Sequence, residues 1–154
     1  MGTFSVRRTV AAPAPRVWAQ LVDWPSHGRW VPFTTVTTTS PSPTGVGATF
    51  VGRSGIGPLG FDDPMVVTTW QEPGDVTPGR CQIRKTGRVV LGDAGFTVTP
   101  LGPGRSEVVW TETIEVAGLR RVPLAGRVND LVGRLTFAAV LKAMAGEVER
   151  ASAT

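Results

Sequence analysis

Glu112 is the residue whose type and surroundings are best suited to chemistry. It lies in Ser106–Val116, where apolar and polar residues alternate. Four apolar residues share its face: Val108, Trp110, Ile114 and Val116. Side chains two residues apart lie on one side of a β-strand, and the apolar side is the buried one. A buried carboxyl group must be paired, hydrogen-bonded or protonated. Glu112 is therefore predicted as a polar anchor or general acid/base in a cavity, or else as a structural carboxylate paired with an arginine or lying at the wet end of the sheet.

Lys85 is a second candidate for acid/base chemistry. It shares a face with Cys81 and Ile83 in a short alternating stretch. It is predicted either as a partner of Glu112 or as a lysine at the end of a strand, with a buried stem and an ammonium group in solvent. Cys81 is the one cysteine, which excludes an internal disulfide. It is predicted as a small buried residue rather than a nucleophile.

His27 is a third candidate and the only histidine. Any Ser–His–Asp or Cys–His arrangement would have to use it, but the residues around it show no nucleophile motif. A single histidine with no CxxC motif also excludes a zinc site. Because Trp24, His27 and Trp30 recur at intervals of three, they form one aromatic face of a short helical element. His27 is predicted either to line a cavity or to lie at the surface beside packed tryptophans.

The richest glycine stretch, Gly52–Gly60, matches a dinucleotide-binding pattern only formally. A strand signal follows it rather than a helix, so no helix N-terminus is present for a pyrophosphate. The stretch is predicted as a long hairpin loop with apolar tips at Ile56 and Leu59, either plain or mobile over a cavity mouth. The neighbouring Asp62 and Asp63 are expected to point apart and to bind no cation.

The length, composition and charge of the chain limit the classes of protein to which it can belong. The chain has 154 residues, 41% of them hydrophobic and 18% charged, which is ordinary for one globular domain over 1–154. No apolar run reaches the roughly 18 residues that predict a membrane span, and no signal peptide is recognisable, so a cytoplasmic location is expected. The net charge of +4 is spread over mostly single arginines, so no nucleic-acid partner is expected. No metal or other cofactor is expected.

The elements that must position these residues follow from the patterning. Alternation bounded by turn residues predicts seven strands: 3–10, 34–39, 48–53, 65–71, 80–85, 89–99 and 106–116. Two short helical elements are predicted at 16–22 and 23–30. The facing of Met65–Gln71 stays open because one bulge would reverse it. Strands joined by hairpins imply a curved antiparallel sheet, so the fold class is α+β.

A long helix over about 122–150 is predicted to organise the fold, with Pro123 at its start. Its first half carries one apolar stripe: Leu124, Val128, Leu131, Val132, Leu135 and Ala139. Its second half carries another: Phe137, Leu141, Met144 and Val148. The two stripes point to different sides. The helix is therefore predicted either to bend near Gly133 or to bury different faces at its two ends, with one half on the sheet and the other closing a cavity.

This order of elements resembles the helix-grip fold of the START-like (SRPBCC) superfamily. Three stretches are similar to its bacterial polyketide cyclase/dehydrase-like branch: Val10–Trp18 with Asp23-Trp24, then Trp30–Pro32, then Val109–Thr111. The resemblance covers nearly the whole chain. It implies a curved seven-stranded sheet around a C-terminal helix, with two short helices after strand 1. It also implies a cavity between sheet and helix for an apolar or aromatic molecule.

Seven residues are predicted to line this cavity: Trp30, Phe50, Met65, Phe96, Trp110, Phe137 and Leu141. The first function hypothesis is binding of a hydrophobic, lipid- or polyketide-like molecule. The second is a metal-free polyketide cyclase, aromatase or dehydratase type of enzyme in which Glu112 acts as acid/base, helped by Lys85 or His27. The third is a protein-interaction module, which would need an exposed apolar patch that the sequence does not reveal. A monomer or a homodimer is expected.

Overall fold

A single antiparallel sheet forms the frame of the molecule. The computed structural model describes residues 2–118 and 125–153, and these residues form seven strands. The strands are β1 (Gly2–Val10), β2 (Thr34–Thr38), β3 (Thr49–Ile56), β4 (Leu59–Gln71), β5 (Gly79–Thr86), β6 (Val90–Gly102) and β7 (Arg105–Val116). Their order across the sheet is β1-β7-β6-β5-β4-β3-β2. The predicted α+β, helix-grip arrangement is confirmed.

Helices pack on the inner face of this sheet. α1 (Ala14–Leu21) follows β1 and begins at prolines, which suit a first helical turn. A 3₁₀ turn (Trp24–Ser26) leads directly into α2 (His27–Trp30). The C-terminal helix is α3 (Ala125–Ser152). The start predicted at residues 122 and 123, and Leu124 of the first apolar stripe, lie outside the described residues.

The second half of α3 packs into the core as its apolar stripe predicts. Its buried residues are Val140, Leu141, Met144, Ala145 and Val148. They join the inner side chains of the sheet and the apolar face of α1 in one hydrophobic core. This half anchors the helix, since burying several aliphatic side chains stabilises by about 1.5–3 kcal/mol each.

The first half of α3 departs from the prediction that its apolar stripe is buried. Val128, Leu131, Val132 and Leu135 are 60%, 59%, 56% and 64% exposed. The opposite side of the helix faces β1, because a Cβ built on Gly133 would lie only 2.3 Å from Cε1 of Phe4. Leu131 and Leu135 are each two residues from Gly133, about 200° around the helix. Gly133 therefore allows α3 to pack closely against Phe4 of β1. As a result, the apolar stripe of the first half of the helix points away from the sheet.

The glycine-rich hairpin is also tighter than predicted. β3 and β4 run to a two-residue turn at Gly57-Pro58, so the expected long loop is mostly paired strand. Gly55 has a φ of +133°, and a Cβ there would lie 2.4 Å from the Cα of Gly60. The apolar tips are exposed, Ile56 by 67% and Leu59 by 86%.

One extra residue in β4 decides which side chains of that strand point inward. Val67 pairs with Ile83 and Thr69 pairs with Gln82, so Thr68 is a bulge without a partner on β5. The bulge shifts the alternation by one residue. Trp70 therefore opposes buried Cys81, and its ring packs edge-on against Trp18 with centroids 5.2 Å apart. The facing that the sequence left open is settled by this bulge.

Candidate functional site

An inner cavity of about 290 Å³ lies among the sheet, α2 and α3. Its walls are mostly apolar and include Trp24, Phe50, Met65, Ile83, Trp110 and Phe137. Four ionisable side chains interrupt them: His27, Asp63, Lys85 and Glu112. A larger groove of about 680 Å³ crosses the outer face of the sheet, where exposed polar residues such as Gln82 and Thr111 line it. Apolar walls with a few converging polar groups are typical of small-molecule sites, so the inner cavity is the candidate site.

Glu112 points into this cavity from β7 and is only 4% exposed. Trp110 Nε1 donates a hydrogen bond of 3.3 Å to Glu112 Oε1. Burial raises the pKa of Glu112 to about 7, with Lys85 and the Trp110 hydrogen bond opposing the rise and Asp63 adding to it. Ala94 lies opposite Glu112 on β6 and leaves space beside it. Glu112 is thus a carboxyl group that can hold or release a proton near neutral pH.

Lys85 is paired with Asp63 rather than with Glu112, which corrects the predicted pairing. Lys85 Nζ donates to Asp63 Oδ2 at 2.6 Å, and the two side chains are 6% and 14% exposed. Lys85 therefore does not reach solvent as an end-of-strand lysine would; it acts on Glu112 through its charge. Asp62, as expected, points the other way and pairs with exposed Arg53 at 2.9 Å.

Asp63 is left with one unsatisfied oxygen. Its Oδ1 is buried and has no hydrogen-bond partner among the described residues. Removing a carboxylate oxygen from water without a donor costs about 1–3 kcal/mol or more, so such an atom calls for a donor from solvent or from a ligand.

His27 is buried, contrary to the alternative of a surface histidine. Its ring is close to those of Trp24, Trp30 and Trp110, with centroids 5.7, 5.1 and 5.8 Å away. Nε2 lies 2.7 Å from the Leu21 carbonyl oxygen, and because a carbonyl only accepts, Nε2 carries the proton. Burial lowers the pKa of His27, although the Leu21 carbonyl and the Asp23 charge oppose this. In the neutral ring Nδ1 is therefore unprotonated and is an acceptor for a proton or a hydrogen bond.

The predicted lining residues divide into two groups. Phe50, Met65, Trp110 and Phe137 line the cavity, where Trp110 and Phe137 stack with centroids 5.4 Å apart. The other three pack elsewhere: Trp30, Phe96 and Leu141. Trp30 donates its indole N–H to Glu147 Oε2 at 2.7 Å, and Phe96 packs between Trp18 and Trp110. Their large apolar side chains fill the core behind the cavity.

Sequence reasoning missed Trp24 and Asp63 as lining residues. Trp24 stacks on Phe50 with centroids 4.2 Å apart and an interplanar angle of 9°. Asp63 lies just before the predicted strand, which begins at Met65, whereas β4 begins at Leu59. Asp63 lies two residues before Met65, so extending the alternation backwards along the strand would have placed it on the inner face.

The fold and the cavity together define a helix-grip ligand-binding domain. The family described as polyketide cyclase / dehydrase and lipid transport matches residues 1–153, and the chain belongs to this family. This match confirms the resemblance to the START-like (SRPBCC) superfamily that the sequence indicates. Among curated proteins, none matches the chain.

Solved structures with the same fold are distant in sequence. A START superfamily protein from Mycobacterium smegmatis has a TM-score of 0.77 at 17% identity, covering 97% of this chain and 99% of its own. The Zhui aromatase/cyclase from Streptomyces sp. R1128 has a TM-score of 0.70 at 21% identity, covering 96% and 93%. A protein from Thermobifida fusca has a TM-score of 0.69 at 24% identity, covering 97% and 95%. At these identities the comparison shows the fold.

Two further properties concern the described residues. Their helices include none long and apolar enough to cross a membrane. Nor do these residues bring three or more His, Cys, Asp or Glu side chains together in a group that could hold a metal ion.

Proposed function

We propose that the protein binds a hydrophobic or aromatic small molecule, lipid- or polyketide-like, in the inner cavity and releases it unchanged. The observation that carries this proposal is the aromatic enclosure formed by Trp24 stacked on Phe50 and Trp110 stacked on Phe137. The volume of about 290 Å³ lies just below the range for small-molecule sites, about 300–1,000 Å³, so a small ligand is expected.

Native mass spectrometry tests this proposal. The protein is measured as purified from cells and after incubation with lipids and polyaromatic compounds. A Gly52→Val variant narrows the cavity without strain at the backbone, because a Cβ there meets Met65 Cε at 3.5 Å and the Asp63 carbonyl oxygen at 3.9 Å, which are ordinary van der Waals distances. A Gly104→Val variant in an open turn is the control, since a Cβ there meets nothing within 4 Å. Ligand capture that survives Gly52→Val unchanged would contradict binding in the cavity.

An enzyme of the polyketide cyclase, aromatase or dehydratase type is the second candidate. It is favoured by a buried carboxyl group with a pKa near neutrality and a neutral imidazole facing one cavity. Glu112 would move the proton, with Lys85 or His27 assisting. The Glu112→Gln variant separates the two candidates. A carrier would lose affinity at most, whereas an enzyme would lose turnover and still bind its ligand.

An interaction module is the third candidate, and the exposed stripe Val128, Leu131, Val132 and Leu135 is the observation that favours it. Sedimentation velocity tests it together with the predicted monomer or homodimer. A change of assembly state on substituting Leu131 would support a docking role for the stripe. The cytoplasmic location and the lack of a nucleic-acid partner stay predictions.

A further inference from the structure

A second concave region lies outside the inner cavity, on the solvent side of α3. It is named here the helix groove, a depression of about 610 Å³ between α3, α2 and β1. The small residues Ala139, Ala143 and Gly146 of α3 form its floor, and charged side chains form its walls. The helix groove shares no lining residue with the inner cavity. A ligand bound there would therefore be separate from the ligand of the inner cavity.

The walls of the helix groove carry more positive than negative charge. The lining includes four basic and two acidic side chains: Arg8, Arg29, Lys142, Arg150, Glu147 and Glu149. One of the four cations is neutralised within the protein, because Arg29 forms an ion pair with Oε1 of Glu147. Oε2 of Glu147 accepts the indole N–H of Trp30, so both oxygens of this carboxylate are already engaged.

The other three cations of the helix groove lack a counter-ion. Arg8, Lys142 and Arg150 form no ion pair or hydrogen bond with any described residue, and Arg150 acts on Glu147 only through its charge. Glu149 is the one remaining acid of the lining, and its Oε1 accepts a backbone N–H at 3.5 Å. Three cations beside one carboxylate leave two positive charges uncompensated.

Arg8 is the least solvated of these cations. It projects from the inner face of β1 between the buried residues Val6 and Val10, and it is only partly exposed. Its Nε atom is buried without an acceptor among the described residues. Its terminal nitrogens also have no acceptor but remain accessible, so they are the atoms that can meet a ligand. Removing part of a guanidinium group from water without a counter-ion is unfavourable, and an anion in the groove would compensate for it.

Gly146 leaves space between the cations that α3 supplies. It lies about one helical turn after Lys142 and one turn before Arg150. Arg150 reaches back along the helix, so that a Cβ on Gly146 would be 3.3 Å from its Nη1 atom. An oxygen-rich group can therefore lie over the backbone at Gly146 beside the Arg150 guanidinium. The rest of the floor is small and apolar, which suits a short organic group.

We propose that the helix groove binds a phosphate monoester, with its phosphate group between Arg8, Lys142 and Arg150. Such a group carries a charge of about −1.5 to −2 near pH 7, which matches the two uncompensated positive charges. Its three terminal oxygens can accept from three separate cations, whereas a carboxylate has two oxygens. The organic part of the ester lies over the small residues of the floor. This site goes beyond the proposed function and does not depend on it.

Isothermal titration calorimetry with three small probes tests the site at about pH 7.5. The probes are glycerol 3-phosphate, glycerate and glycerol, in a buffer of about 0.02 M ionic strength, because salt screens exposed charges. One saturable site is expected for glycerol 3-phosphate, and no binding is expected for glycerol. Glycerate, with one negative charge and one oxygen fewer, is expected to bind at least about tenfold more weakly.

Two adjacent arginines supply the variant and its control. Arg8→Gln removes a charge-assisted hydrogen bond and should weaken the binding of glycerol 3-phosphate at least about tenfold. Arg7→Gln removes the same charge from the opposite face of β1, where Arg7 is exposed and pairs with Glu107. Its affinity should stay within about twofold of the wild type. If Arg8→Gln does not fold, Lys142→Gln at an exposed position of α3 tests the groove and should weaken binding about threefold or more.

Phosphate monoesters occur in soluble compounds and in lipid headgroups, and vesicles separate these two sources. Phosphatidylcholine vesicles are prepared with and without phosphatidate, whose headgroup is a phosphate monoester, and are sedimented with the wild type and the variants. Sedimentation that requires both phosphatidate and Arg8 would support the site with a lipid as its source. Binding of glycerol 3-phosphate without such sedimentation would support the site with a soluble ester as its source.

Three results would overturn the proposal. Equal affinity for glycerate and glycerol 3-phosphate would indicate an adventitious ion only. Equal losses in Arg7→Gln and Arg8→Gln would indicate attraction to the net positive charge rather than a site. Failure of both glycerol 3-phosphate and phosphatidate vesicles to bind would leave the groove without its ligand. None of these results concerns the apolar ligand measured by native mass spectrometry, so a failure here is distinct from a failure of the proposed function.

Discussion

Trp110 and Glu112 lie two residues apart on the inner face of β7, and the indole N–H of Trp110 donates to Glu112 Oε1. One strand thus supplies both an aromatic wall and a hydrogen-bonded carboxyl group to the cavity. The alternation of the strand makes this contact possible, since side chains at i and i+2 share a face. Five testable consequences follow from this and other contacts.

The buried Glu112 should make stability depend on pH. Its pKa is raised from 4.5 to about 7, so its stabilising contribution is fully present below about pH 4.5 and is lost as pH rises through about 7. At about 1.4 kcal/mol per pKa unit, this is at most roughly 3 kcal/mol. His27, with its lowered pKa, makes stability rise with pH in both proteins, so chemical denaturation of the wild type and Glu112→Gln at about pH 5 and about pH 8 should show this loss as the difference between the two proteins. Glu107→Gln, on the outer face of β7, is the control and should keep the pH dependence.

Ligand binding should show the same dependence. Above about pH 7, ionised Glu112 places a negative charge in the largely apolar cavity, and a neutral ring such as 2-naphthol would remove water from that charge, so the affinity for 2-naphthol should fall. In Glu112→Gln the amide is uncharged at every pH, and calorimetric titrations from about pH 6 to about pH 8 should give a nearly constant affinity. A parallel decline in both proteins would show that another group controls binding.

The buried ion pair should be far more sensitive than its exposed neighbour. Lys85→Met leaves the Asp63 carboxylate buried without its cation, which costs about 3–5 kcal/mol. Arg53→Met breaks the exposed pair with Asp62 on the same hairpin, which costs about 1 kcal/mol or less. Urea denaturation measures both. Similar losses for the two variants would contradict the burial of Lys85 and Asp63.

Two glycines of α3 should respond in opposite directions to alanine. A Cβ on Gly133 would lie 2.3 Å from the Phe4 ring, so overpacking of about 1–3 kcal/mol should exceed the gain in helix propensity of about 1 kcal/mol. At Gly146 a Cβ meets only the flexible end of Arg150 at 3.3 Å, so Gly146→Ala should stabilise by about 0.5–1 kcal/mol. Thermal unfolding distinguishes the two signs.

The two apolar stripes of α3 should differ in their contribution to stability. Leu131 is 59% exposed and Leu141 is 1% exposed. Leu131→Ser should change the free energy of unfolding by less than about 0.5 kcal/mol, whereas Leu141→Ala should lower it by about 2–5 kcal/mol. A large loss from Leu131→Ser in a monomeric sample would place that side chain in the folded core and contradict the exposed stripe.

Local patterns predicted the sheet and the inward position of Glu112 well. In β7 the alternation is uninterrupted, so the burial of Val108, Trp110 and Glu112 follows from the sequence. The start of β4 was missed because the Gly52–Gly60 stretch suggested a loop, and Asp63, the partner of Lys85, was missed with it. Pairing between strands, rather than residue propensity, extends β4 through these glycines.

The prediction for α3 was wrong in its first half for a different reason. The assumption that an apolar stripe faces the core holds when the sheet offers a matching surface. Here Phe4 fills that surface and requires a residue without a side chain opposite it, so Gly133 sets the rotation of the helix. Phe4 and Gly133 are far apart in the sequence, so their contact produces no hydrophobic periodicity from which the rotation of α3 could be predicted.

The single bulge in β4 gives that strand two roles. Before Thr68, the inward-facing side chains of Asp63 and Met65 line the cavity. After Thr68, the inward-facing side chain of Trp70 packs against Trp18 in the core. Deleting Thr68 would make the interval from Val67 to Trp70 two residues, so a regular alternation would keep both side chains inside; with Thr68 present, a strand without the bulge would turn Trp70 outward. The bulge therefore compensates for an odd spacing of three residues between Val67 and Trp70, and it keeps the cavity-lining half and the core-packing half of the strand on the same face of the sheet.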